Sequence, residues 1–156
     1  MPLATKEKWG HLISGVSLQS AKITFFTNEV KKFSKIGKIL FTHFGVSGPL
    51  ILNSAGAVSD LLYGGIVTAK IDTYPDATEK ELEEKIIKVF DNNKNRIIKN
   101  VVNEIVPNGM GRVIFLLIPS IDPETKIRII TKEQRKILVK ALKALANLYR
   151  LPKRRI

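Results

Sequence analysis

GKILFTHFGVSGPLIL, residues 37–52, joins a strand-like run to a helix-like run through a turn of small residues. Ile39 to Thr42 supplies bulky and β-branched side chains that suit a pleated surface. Ser47 is placed to cap a following helix, and Pro49 suits its first turn, where a missing N–H would have gone unpaired anyway. Gly45 and Gly48 permit close backbone approach. The segment reads as strand, loop and helix start, with a short helix expected near 48–58. Amides exposed at such a start attract anions. A well-capped helix in a packed domain accounts for the same residues without any ligand.

On either side of this segment the chain is rich in Val, Ile, Thr and Phe broken by Gly, Ser and Asn, which predicts strands over Ser17–Thr27, Lys35–Thr42 and Gly65–Tyr74. Near Pro75 the apolar period changes to that of helices. Thr78 with Glu81 has the spacing of a capping box, and Leu82, Ile86, Val89 and Phe90 then share a face that ends at Asn92 and Asn93. A second helix is expected through Ile97, Ile98, Val101, Val102 and Ile105, stopped by Pro107, Asn108 and Gly109, and a third, short one over Gly111–Leu117. The last begins at Thr131, boxed by Gln134, and turns Leu138, Leu142, Leu145 and Leu148 inward. The expected class is therefore α+β: a strand-rich part over 1–74, a helical part over 75–148, and a basic tail over 149–156.

At 156 residues the chain is long enough for one domain with a sizeable core, and its 44% hydrophobic content agrees with a folded protein. The absence of cysteine excludes disulfides, thiolate zinc sites, iron–sulfur clusters and a dithiol couple within this chain. No apolar run approaches the roughly 20 residues of a membrane-spanning helix, and the first residues do not read as a secretory signal, so a cytoplasmic location without membrane contact is expected. The opening residues lead straight into core-like pattern, as expected of a chain cut from a longer one. The net charge of +12 is unevenly spread. From Lys126 onward eleven basic residues face Glu133 alone, leaving a balance of only +2 to the first 125 residues. Such a cluster raises the prospect of a polyanionic partner.

The run Gly37, Leu40, Phe41, Thr42, His43, Phe44, Gly45, Ser47, Gly48, Pro49 and Ile51 resembles the GxLLFTHFGLSGPAIL signature of the BaiN-like NAD(P)/FAD-dependent oxidoreductases, the aminoacetone oxidase family of flavoproteins. It departs at Ile39, Val46 and Leu50. The flanks are similar too, through Leu12, Gly15, Ser17 and Leu18 before it and Ile71, Asp72, Pro75 and Asp76 after it. The resemblance implies that this chain is the domain inserted between the halves of a split FAD-binding domain, built from a small antiparallel β-barrel and a helical subdomain, with the tail returning toward the barrel. FAD, with NAD(P)H as reductant, would then be held by segments outside this chain, which are its implied partners. No G-x-G-x-x-G or G-x-x-x-x-G-K-[ST] occurs in the 156 residues, so neither cofactor is expected to bind this chain alone.

His43 is the candidate for acid–base work, because imidazole titrates near neutral pH; a histidine that merely bonds a carbonyl and holds the loop fits equally. Thr42, Gly45, Ser47, Gly48 and Pro49 form the segment expected to lie near substrate or flavin. His11 reads as surface, and two histidines so far apart without clustered carboxylates give no metal site. Lys132, Lys136, Lys140 and Lys143 recur at helical spacing with Arg135 at the border. With Arg150, Lys153, Arg154 and Arg155, the residues Lys136, Lys140 and Lys143 are the candidate phosphate contacts, although such a face often serves solubility alone. Two functions follow. One is the substrate or lid domain of a flavin-dependent oxidoreductase, inactive alone, with RNA uridine reduction as a version that employs the charge. The other is a stand-alone basic nucleic-acid-binding module without catalysis.

Overall fold

The computed structural model describes residues 3–5, 14–42, 45–47, 67–111, 113–145 and 147–150. Six strands, β1 (Leu3–Thr5), β2 (Ser17–Thr27), β3 (Val30–Thr42), β4 (Gly45–Ser47), β5 (Val67–Asp72) and β6 (Asn147–Arg150), close into a barrel in the order β1-β4-β3-β2-β5-β6. Every neighbouring pair is antiparallel. Alternation decides what enters the lumen: Ala21, Ile23 and Phe25 of β2, Ile39 and Phe41 of β3, and Val67, Ala69 and Ile71 of β5 are all buried. Two register shifts, between Leu18 and Ala21 and between Phe25 and Phe26, bend β2 as a small barrel requires.

The expected strands are present with different bounds. β3 begins at Val30, not Lys35, because a two-residue turn, Asn28–Glu29, returns the chain directly from β2. Both turn residues have positive φ, 50° and 66°, the conformation whose twist matches a hairpin. Glu29 has no glycine's freedom there. Glu29→Gly is expected to add about 0.5 kcal/mol, the relief of the left-handed conformation being partly offset by the entropy that glycine brings to the unfolded chain. A thermal melt one or two degrees higher checks it, roughly the shift that this energy implies for a chain of this size.

Between β5 and β6 the chain forms a helical layer of α1 (Glu79–Asp91), α2 (Ile114–Leu117) and α3 (Lys132–Lys143). The Thr131–Gln134 capping box is complete. At Thr78 only half of it forms: the hydroxyl accepts the Glu81 N–H at 3.1 Å, but the Glu81 carboxylate lies 3.3 Å from that hydroxyl. Two expectations fail here. Ile97–Ile105 is not a helix but two single 3₁₀ turns, Ile98–Asn100 and Val102–Glu104, preceded by an extended Ile97 that bridges to Lys126. The Ile98 N–H goes to the Thr125 carbonyl at 2.8 Å, and a run of β-branched residues without a capping side chain did not compete. The last helix stops at Lys143, since Leu145 donates its N–H to the Ile71 carbonyl at 2.7 Å and the chain re-enters the barrel. Leu148 is thus a strand residue of β6, and Arg150, expected in a tail, pairs with Val67. The helix expected near 48–58 lies outside the described residues. Among the described residues no helix is long and apolar enough to cross a membrane.

Candidate functional site

The recognisable segment closes the barrel. Phe41 points inward, its N–H donating to the Val16 carbonyl at 2.9 Å and its carbonyl accepting from Gly15 at 2.8 Å. Gly15 has φ +91° with open space where a side chain would stand, so backbone conformation and not crowding favours glycine there. Thr42, half buried, pairs with Gly45, and Val46 pairs with both Phe41 and Leu3. Gly45–Ser47 is therefore a strand that joins β3 to β1, where the sequence led us to expect a loop. His43 and Phe44 stand between Thr42 and Gly45 and, with Gly48 and Pro49, lie outside the described residues. What is visible of the segment does structural work: without β4 the barrel has no seam.

At the same end of the barrel sits its joint with the helical layer, which the sequence did not reveal. Asp72, the last residue of β5, pairs with Lys143, the last of α3, at 2.6 Å, with only 17% and 16% of the two side chains exposed. The Lys143 ammonium also donates to the carbonyls of Tyr74, at 2.8 Å, and Ala77. Thr73 donates both its N–H and its hydroxyl to the Leu142 carbonyl, at 3.0 and 2.8 Å. The Tyr74 hydroxyl donates to the Ile105 carbonyl, and burial pushes the phenol above its ordinary pKa. Gly109, at φ +89°, backs onto Val16. Lys143 is therefore a clamp and not a phosphate contact, a correction that follows from its 71-residue separation from Asp72 in sequence.

The cationic face of α3 is narrower than the spacing predicted. Arg135 turns inward to Glu83 of α1 at 3.3 Å, both partly buried, and its Nε is buried without a partner. Lys132, Lys136 and Lys140 remain exposed, four residues apart on one ridge. At a rise of about 1.5 Å per residue their Cα atoms are roughly 6 Å apart along the helix. Backbone pairing fixes Arg150 in β6, while Lys153, Arg154 and Arg155 lie outside the described residues. The structure thus does not bring the barrel segment and the cationic ridge into one constellation. Among the described residues no cluster of three His, Asp or Glu residues offers a metal site.

Residues 1–147 match the family model described as the HI0933-like protein barrel and H2TH domain. No curated protein compared with the chain matches it.

Proposed function

Because this chain belongs to the HI0933-like barrel and H2TH domain family, which is linked to FAD-dependent oxidoreductases, we propose that it is the inserted substrate-side domain of a flavoenzyme of the BaiN-like kind. The observation that carries this reading is the antiparallel pairing of β1 with β6, Ala4 opposite Tyr149. That register sets Leu3 beside Arg150, so the chain enters and leaves the barrel through adjacent strands, as a domain inserted into another must. The residues of this chain do not fit a dinucleotide themselves. There is no glycine-rich fingerprint, and the first-turn amides of α1 and α3 are engaged by the hydroxyls of Thr78 and Thr131. FAD, reduced by NAD(P)H, would supply hydride transfer from flanking segments, and this domain would shape the pocket and exclude water. A cytoplasmic enzyme is the matching location.

The test is made in a polypeptide that carries the flavin-binding segments. Replacing residues 3–150 by a short glycine linker, which the neighbouring strand ends permit, is expected to leave FAD bound and to lower substrate turnover by at least about a hundredfold, the order of effect that loss of substrate positioning produces. Turnover that survives the replacement rules the wall reading out.

The exposed ridge of Lys132, Lys136 and Lys140 favours RNA as the substrate, with uridine reduction the matching reaction. Phosphates along a strand follow one another at comparable intervals, and three such contacts contribute a salt slope of about −2 to −3. Binding of a structured RNA fragment across a salt series is expected to lose that much slope when the three lysines become alanine. A further loss is expected for Lys153→Ala, Arg154→Ala and Arg155→Ala together. Unchanged slopes, or no binding at low salt, dismiss RNA and leave the ridge a solvated face.

A further inference from the structure

Strands β2 and β3 carry a second cationic surface, hidden in the even charge balance of the first 125 residues. Over residues 17–42 five lysines stand against Glu29 alone, and Lys31, Lys32 and Lys38 are exposed. Large apolar side chains are exposed among them: Val30 and Ile36 at 57% each, Leu40 at 37%. Ile39 and Phe41 point into the barrel, so Ile36, Lys38 and Leu40 follow one another along its outer face.

This stretch is also an open edge. β3 pairs with β2 from Val30 to Leu40, but on its other side only Leu40, Phe41 and Thr42 meet β4. Among the described residues nothing pairs with that side of Val30–Ile39. The backbone of Phe41 bonds to Gly15 and Val16, on the side of β2. Ladder bonds alternate sides along a strand, so Ile36 and Lys38 aim their N–H and carbonyl groups at the open side. Lysines on such an edge repel a second copy of a chain that carries +12 overall and attract a strand of opposite charge.

We propose that the open edge of β3 receives an extended acidic segment as a seventh strand, its alternate apolar residues lying against Ile36 and Leu40 and its carboxylates facing Lys31, Lys32 and Lys38. Backbone pairing supplies affinity and the lysines select charge. A phosphate chain would use the lysines but neither the row of backbone donors nor the apolar side chains between them. The surface lies on a different element from the α3 ridge and is independent of the flavoenzyme reading.

The probe is a fluorescein-labelled peptide of about ten residues alternating valine and glutamate, the length of a long strand, titrated into the 156-residue protein. Its binding is expected to weaken about tenfold or more in the double variant Lys31→Glu, Lys38→Glu, the scale of losing a close charge pair at an interface. Binding should vanish in Ile36→Pro while the melting temperature holds, because proline there removes only an edge donor. In the unaltered protein, amide exchange at Ile36 and Lys38 should slow on binding, a readout that stands even if the proline variant does not fold. The proposal is overturned by absence of binding or by unprotected amides. It is equally overturned by an acidic peptide with alternate prolines binding as well, or by an RNA oligonucleotide displacing the peptide at equal concentration.

Discussion

Gly109→Ala is expected to destabilise the protein by about 3 kcal/mol, combining a left-handed backbone cost of about 1–2 kcal/mol with overpacking of about 1–3 kcal/mol. Both contributions have a visible source. Gly109 sits at φ +89°, and a Cβ built there would lie 2.8 Å from Cγ2 and 3.1 Å from Cγ1 of Val16. Val16 is held in turn by its backbone bond to Phe41, so the intruding methyl would strain the barrel end and the helical layer together. The melting temperature should fall by about 10 °C, at roughly 2–4 °C per kcal/mol for a chain of this size. Adding Val16→Ala removes the collision but not the backbone cost, so the double variant should lose less than the two single losses summed. Gly15→Ala, at a similar φ but with open space, separates the contributions: it should show the backbone cost alone. Equal losses at the two glycines would dismiss the contact with Val16 as a cause.

Lys143→Met is expected to cost about 2–4 kcal/mol, toward the lower part of what breaking a buried ion pair costs, since both side chains keep slight exposure. The change strands the Asp72 carboxylate and leaves the Tyr74 and Ala77 carbonyls without their shared donor. Denaturant unfolding with an unchanged m-value reads it directly. Lys140→Met, on the exposed ridge of the same helix, should stay within about 0.5 kcal/mol. In Lys143→Met with Asp72→Asn much of the loss should return, because no uncompensated charge remains. A cost for Lys143→Met no greater than for Lys140→Met would show that the joint does not depend on this clamp.

The coarse division of the chain was legible because its signals are local. Hydroxyl caps at Thr78 and Thr131 and the apolar faces they introduce act within a few residues, and the helices began where those signals stood. The long strands were legible for the same reason. Ile97–Ile105 misled because its apolar spacing is helical while its partners, Thr125 and Lys126, lie far along the chain and claim its backbone. For the candidate site, spacing identified the ridge of Lys132, Lys136 and Lys140 but could not show that Arg135 and Lys143 turn away from it to Glu83 and Asp72. His43, Gly48 and Pro49 remain sequence readings.

The sequence by itself determined composition, caps, periodicity, the absence of a dinucleotide fingerprint and the resemblance that placed the chain beside flavoproteins. Tertiary structure alone decided that the barrel closes, because β1, β4 and β6 have only three or four residues each. Strands that short carry no periodic signal and exist through neighbours brought from opposite ends of the chain. It also decided which cations stay in water and which are consumed in the joint, because ion pairing depends on separations of a few ångströms between residues that lie 52 and 71 positions apart.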